Sequence, residues 1–398
     1  MSRLAIWWVR RDLRLADNPA LTAALEVTGL VLPVLILDPA LKAADGFRRQ
    51  FLLGGLHALD AELRRRGSYL LVREAPPAEV LSGLAAETGA SVVFAEGDLT
   101  PYARRRDRQV AARIPLVLVG ESSALPLANL VREDGTPYRV FASFRRRWLA
   151  QGPPAKTALR PPSTHIPTPP GLGGVGIPPA PPVPGFPPGE AEALRRLRAF
   201  VGGADAPVYR YRRDRNWPAL AATSGLSPYL RFGMVSARTA AAAAVRAIAR
   251  APDPEAARQA ACWLDELIWR DFFLALAARS RRLRGPTPTI EGRWEKAEAF
   301  GGASGQTGYP LVDAGMRQLR ADGWVSNRVR LVTASFLIYG LRLDWRVGEA
   351  WFMACLVDGD PALNSGNWRW VARDGFGPGR SRRALNPTLQ ARRWDPMG

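Results

Sequence analysis

The sequence predicts an α/β domain joined to an all-α domain: an N-terminal doubly wound parallel sheet at 1–150, a Pro/Gly-rich linker at 151–190 and a C-terminal helical domain at 191–398. Three observations predict it. In the first third, short continuous apolar runs alternate with amphipathic stretches, as in sheets whose strands are buried on both faces. Between 151 and 189, proline, glycine and small residues dominate, which marks a partly extended connection. From 191 onward apolar residues recur with a period near that of the α-helix. A chain of 398 residues also has more material than one core ordinarily holds.

The apolar runs lie at 4–9, 30–37, 68–72, 91–95 and 115–119, and helical patterns at 47–66 and 78–87 fall between them. The turn after the first run reads RRDLRLADNPAL. It carries no glycine fingerprint, so an ordinary dinucleotide-binding turn is not expected. GLGGVG at 171–176 matches that fingerprint in form. It sits among prolines with no strand before it and no helix after it, so it carries no binding argument. In the second domain helices are expected at 191–201, 237–250, 254–280, 310–323, 327–339 and 346–357.

Composition narrows the function classes. The formal net charge is +19, which favours a polyanionic partner, nucleic acid first. The two cysteines, Cys262 and Cys355, argue against a disulfide scaffold, a zinc ribbon or a four-cysteine cluster. With His57 and His165 as the only histidines, a histidine-based triad or metal site is not expected. No apolar run is long enough to span a bilayer and no secretory signal opens the sequence, so a cytoplasmic protein is expected.

Four segments carry chemistry. DGDPALNSGNWRW at 358–370 packs two aspartates, two asparagines and two tryptophans together. Gly359, Pro361 and Gly366 predict a shaped loop there, one suited to framing a planar heteroaromatic group; a tryptophan-rich core corner with capping carboxylates is the plainer reading. In TSGLSP at 223–228, Ser227 suits an N-cap and Pro228 the first helical position, which serves either helix capping or a phosphate cradle. In WLDELIWRDFF at 263–273, Glu266, Trp269, Arg270 and Phe273 fall on one helical face. That face is either a wall that stacks an aromatic ligand or a rim with a Glu–Arg pair. WVSNRVR at 324–330 places Asn327, Arg328 and Arg330 at a helix start, with arginine free to hold phosphate or to pair with Asp358 or Asp360. A calcium loop beginning at Asp358 would need a carboxylate where Arg369 stands, so no metal is expected. Of thirteen tryptophans, most read as core filler, while Trp294, Trp345 and Trp368 are candidates for an electron-carrying series.

Together these segments resemble the DNA photolyase/cryptochrome family. The resemblance rests on WWVRRDLRLADNPAL at 7–21, TSGLSPYL at 223–230, ELIWRDF at 266–272, TGYPLVDAGMRQL at 307–319, GWVSNRVRLVTASFL at 323–337, LDWR at 343–346, DGDPALNSGNWRW, and NPTLQARRWDP at 386–396. It implies that the helical domain binds FAD. Tyr211, Thr223, Ser224, Gly225, Leu226 and Ser227 would hold the phosphates. Asp358, Gly359 and Asp360 would line flavin and ribose, with Arg330 paired to Asp358 and Asn364 facing flavin N5. Trp368, Trp345 and Trp294 would pass electrons outward. Glu266, Trp269, Arg270, Asn327, Arg328, Trp370, Arg383 and Gln390 would meet UV-damaged DNA.

The implied activity is blue-light-driven splitting of cyclobutane pyrimidine dimers by reduced, anionic FAD, with Glu266 bonded to the dimer; a cryptochrome-type photoreceptor is the alternative. A second antenna chromophore of unidentified type against the α/β domain, and a monomer, are also implied. Histidines are absent after His165, which speaks against (6-4) lesions, and iron–sulfur relatives need four cysteines. The chain departs from the family in ending at Gly398, in Gly302 and Leu331, and in SRRAL before NPTLQ, where relatives carry more sequence, tryptophan, methionine and aromatic residues respectively.

Overall fold

The structure, a computed structural model, describes residues 4–41, 46–154, 164–279, 305–374 and 384–395. Five strands form the sheet: β1 (Leu4–Val9), β2 (Leu30–Ile36), β3 (Leu71–Arg73), β4 (Val92–Gly97) and β5 (Leu116–Glu121). All pairings are parallel, in the order β3-β2-β1-β4-β5. Helices α1 (Pro19–Thr28), α2 (Phe47–Arg64), α3 (Pro77–Thr88) and α4 (Pro101–Ala111) cover it. The central strand shows why its apolar run does not alternate. Ala5, Trp7 and Val9 enter the core beneath α1 and α2, while Leu4, Ile6 and Trp8 enter the core beneath α3 and α4. Burial on both faces removes any need for polar residues. At the edge the rule relaxes, and Val117 and Leu118 of β5 are exposed.

After α5 (Phe141–Ala150), the linker does not cross open space. Val31 N–H donates to Pro167 O at 2.9 Å, Ile166 N–H to Arg66 O at 3.0 Å and Val175 N–H to Val72 O at 3.0 Å. The GLGGVG stretch therefore lies along β3. A Cβ on Gly174 would stand 2.8 Å from Val72 O, so glycine there permits a close backbone approach.

The helical region comprises α6 (Glu190–Val201), the short α7 (Tyr211–Asp214) and α8 (Ser227–Arg231), α9 (Ala237–Ala249), α10 (Pro254–Arg279), α11 (Pro310–Asp322), α12 (Asn327–Ser335), α13 (Trp345–Cys355), α14 (Pro361–Ala372) and α15 (Pro387–Trp394). The long α10 is the spine, packed on α9, α7, α14 and α5. One apolar core runs without a break from the α1/α2 face of the sheet into α10, through Phe51, Phe144, Trp148, Tyr229 and Phe272. A third cluster joins α11 to α14 around Val329, Phe352 and Trp368.

Three expectations are corrected. Residues 361–370 are helix, not loop. Asp360 caps it by accepting from Ala362 N–H and Leu363 N–H, Pro361 takes the first helical position, and Gly366 is interior because a Cβ there would lie 2.4 Å from the Phe273 ring. Ser227 is the first residue of α8 rather than its cap, and its Oγ accepts from Trp324 Nε1 at 3.2 Å. The helix expected over 327–339 is α-helical only to Ser335 and continues as one π turn, Phe336–Gly340.

Candidate cofactor and nucleic-acid site

Helices α7, α8, α10, α12 and α14 surround an open cavity of about 700 Å³, within the range of a cofactor site. Most of the residues singled out from the sequence converge on it. Tyr211, Thr223 to Ser227, Glu266, Trp269, Arg270, Asn327, Arg328, Arg330, Asp358, Gly359, Asp360, Asn364, Trp368 and Trp370 all line its wall. Trp345 and Gln390 do not. Trp345 packs at the start of α13, under Arg346 and Arg369, and Gln390 lies on α15. Trp294 and Arg383 lie outside the described residues.

The polar floor is built from the junction before α14. Arg330 forms a two-pronged pair with Asp358, at 3.1 and 2.8 Å, and steadies itself on Val325 O through Nε. Such a fork is both stronger and more directional than a single contact. Asp360 is buried, and burial alone opposes its ionisation; Arg11, then Arg231 and Arg270, overcome it and hold the carboxyl below the usual carboxylate range. Arg231 donates from Nε to Gly359 O at 2.8 Å. Burial, and then the like charge of Arg11, push its guanidinium down to about 9. Among the described residues its Nη1 finds no acceptor, and neither does Nε of Arg215.

Asn364 sits on the first turns of α14, and its Nδ2 donates to Glu349 O at 2.7 Å, which leaves Oδ1 for the cavity. Trp368, one helical turn on, is buried edge-to-face against Phe352 at 5.1 Å. A Cβ on Gly348 would meet its ring at 2.1 Å, so that glycine makes the room for the indole.

The mouth is aromatic and charged. Trp269 meets Trp370 nearly perpendicularly, centroids 4.8 Å apart, and Phe141 of α5 stacks on Trp269 at 3.7 Å. Glu266 pairs with Arg215; burial raises its carboxyl against the pull of that arginine. Arg328 donates to Asn216 Oδ1 at 2.9 Å and lies over Trp394.

Arg270 is misplaced by the sequence reading. It is 8% exposed, and its guanidinium donates to Ser122 O at 2.5 Å and Leu230 O at 3.3 Å. It ties α10 to the α/β domain and does not stand on a DNA-facing rim. All four residues of the expected stripe line the cavity, with Glu266 and Trp269 partly exposed and Arg270 and Phe273 buried. Arg215 and Arg231 went unnoticed from sequence. Arg215 stands one turn after Tyr211, and Arg231 directly follows the TSGLSPYL segment, so both carry a signal in the sequence.

FAD carries a diphosphate, a hydroxylated chain and a flat ring. The donor set fits each part: the buried Arg215 Nε and Arg231 Nη1, unmet among the described residues, the Thr223, Ser224 and Ser227 hydroxyls, two carboxylates, an amide and aromatic walls. Among the described residues no three His, Cys, Asp or Glu side chains converge as a metal site requires. No described helix is long and apolar enough to cross a membrane.

Comparison with known proteins agrees with this geometry. Residues 5–167 match the family model described as DNA photolyase, and residues 263–398 match the FAD binding domain of DNA photolyase. The deoxyribodipyrimidine photo-lyase of a Synechococcus strain is 37% identical, over 99% of this chain and 86% of that protein. Among solved structures, a bacterial class III photolyase from Agrobacterium tumefaciens superposes with a TM-score of 0.86 at 31% identity, over 100% of this chain and 85% of the other. A Synechocystis cryptochrome reaches 0.85 at 28% identity, over 100% and 87%. With sheet topology, cavity and near-full-length similarity in agreement, the chain belongs to the DNA photolyase family.

Proposed function

We propose that this chain repairs cyclobutane pyrimidine dimers in UV-damaged DNA, using light and bound FAD. The observation that carries the reading is the union of two features in one cavity: an anion-receptive, carboxylate-lined floor, and a mouth formed by Glu266, Trp269 and Trp370. A dimer swung out of the duplex is a flat, largely apolar object, least costly to extrude because it is already poorly stacked. The two indoles offer it apolar surface, and the net charge of +19 draws the backbone in without reading sequence.

Bound in its reduced form, FAD would supply the light-driven, one-electron chemistry that opens the cyclobutane ring. The protein's part is placement. Tyr211, the 223–227 segment, Arg231 and Arg215 hold the phosphates and ribityl chain. The Arg330–Asp358 pair would fix the charge beside the ring, and Asn364, whose Nδ2 is engaged by Glu349 O, would offer its Oδ1 as an acceptor there. Glu266 hydrogen-bonds the dimer, released from Arg215 as Arg215 turns to phosphate. Asn327, Arg328, Gln390 and Arg383 serve the strand on either side. Trp368, Trp345 and Trp294 form the route by which the cofactor is re-reduced.

In this reading the α/β domain carries the antenna chromophore. A separate cavity of about 420 Å³, lined by Leu99, Arg104, Glu121 and Leu127 together with Ala278 and Arg279 of α10, supports a place for it. The absorption spectrum of purified protein reports both chromophores. The deciding experiment illuminates the photoreduced protein with an oligonucleotide containing a single thymine dimer. Restoration of intact thymines above the dark control is expected; equal yields in light and dark would sink the proposal.

A further inference from the structure

We infer that Phe141, at the start of α5, is a positioning residue for lesion recognition. It serves as a rigid platform that sets the plane of Trp269. The inference rests on the repair reading above and adds to it a residue from the region that matches the N-terminal family model, whereas Trp269 belongs to the FAD-binding match. The two rings are 3° from parallel with centroids 3.7 Å apart, so the benzene ring stacks directly on one face of the indole. Trp370 approaches the same indole edge-on at 4.8 Å, and Phe273 lies at 5.6 Å.

The platform itself is held. Along α5, Arg145 pairs with Asp265 at 2.6 Å, Phe144 packs on Phe272 at 5.4 Å, and Trp148 Nε1 donates to the fully buried Asp271 at 2.9 Å. Asp271 also accepts from Ala124 N–H at 3.1 Å. Three contacts, made by Phe144, Arg145 and Trp148 of α5, register that helix against α10, and Phe141 inherits its position from them. Phe141 also meets Phe272 edge-to-face at 5.9 Å. Trp269 is only half-buried, so without a ring behind it the indole is free to lean away from the mouth. The floor of the cavity does not involve Phe141, and neither do the arginines that meet phosphate.

Phe141 therefore bears on discrimination between lesion and normal DNA, not on cofactor binding or bond cleavage. The test uses the full-length, FAD-loaded chain, with a thymine-dimer oligonucleotide and the same oligonucleotide undamaged. Phe141→Leu keeps apolar bulk and removes the ring. The ratio of lesion to undamaged affinity is expected to fall roughly 2- to 10-fold, the range that aromatic pairing adds beyond area. Affinity for undamaged DNA, FAD content and repair per photon at saturating DNA are expected to hold, and Phe141→Tyr to restore the ratio. A Phe141→Leu protein with the wild-type ratio overturns the inference, as does an equal loss on both DNAs. Should Phe141→Leu fail to fold, Phe141→Met against Phe141→Tyr decides by the same ratio. Wild-type protein without lesion preference would sink the repair reading itself; wild-type preference unaltered by these variants sinks only the role of Phe141.

Discussion

Two buried arginines a short distance apart in the fold behave differently. Arg14, after β1, donates to Asp17 O at 3.0 Å through Nε, to Gly233 O at 3.0 Å through Nη1 and to Glu96 at 3.1 Å through Nη2. Asp17 continues this network to Arg238 at 2.8 Å. Arg231, on the cavity wall, meets Gly359 O and lies 3.7 Å from Asp360, but its Nη1 has no acceptor. Both cations are removed from water. One is closed on itself and holds two domains in register, and the other keeps a donor that meets no acceptor among the described residues. A buried charge is structural where its partners are internal and receptive where they are not.

The contrast yields a graded set of expectations. Arg14→Met leaves Glu96 buried without its cation and is expected to cost about 3–5 kcal/mol of stability, with FAD affinity in the surviving folded protein unchanged. Chemical denaturation and flavin titration measure the two effects; a selective loss of flavin binding would erase the distinction.

Asp360→Asn is expected to cost about 3 kcal/mol or more at neutral pH, because Arg11 and Arg231 lose their shared carboxylate. Its sign with pH is fixed. Asp360 is held below the usual carboxylate range, so its contribution is present above the unfolded value of about 3.9 and fades as pH falls beneath it. The gap between wild type and variant is thus expected to narrow as pH falls below about 4 and to close only as the depressed native value is passed. A gap that stays constant down to pH 3 would remove the arginines as the cause.

Arg231→Met inverts the first case. FAD affinity is expected to drop by about 1.5–3 kcal/mol, the worth of a hydrogen bond to a charged group. The flavin-free protein is expected to melt no lower than wild type, since burial and Arg11 already disfavour that cation. Lower stability with unchanged FAD affinity would place Arg231 beside Arg14 as structural.

Trp269→Ala moves the comparison to the mouth. Loss of one stacking surface is expected to weaken lesion binding by about 1–3 kcal/mol and to leave undamaged DNA and FAD binding in place. Competition binding with damaged and undamaged duplexes reads this out; an unchanged preference would deny the aromatic mouth a role in recognition.

Much of this organisation was legible in one dimension. The strands fall within a few residues of the apolar runs because continuous burial in a parallel sheet leaves that pattern. The cavity residues were found as short mixtures of carboxylate, amide and tryptophan, which cores seldom need. Proline and glycine misled in 358–370. Pro361 reads as a breaker but starts α14, and Gly366 sits mid-helix to admit the Phe273 ring. Arg270 misled for the converse reason: its helical face was read correctly, but what stood opposite that face was Ser122 O and Leu230 O, which no periodicity reports.

By itself the sequence determined the order and class of the elements, the positive charge, and the set of residues able to do chemistry, because period, propensity and composition are local properties of a chain. Only the tertiary structure decided which arginines are closed and which still offer a donor, that α5 puts a phenyl ring behind Trp269, and that Asp360 rests between Arg11 and Arg231. Those are outcomes of packing between residues more than a hundred positions apart. Burial, and the partners that come with it, belong to the folded arrangement rather than to any segment.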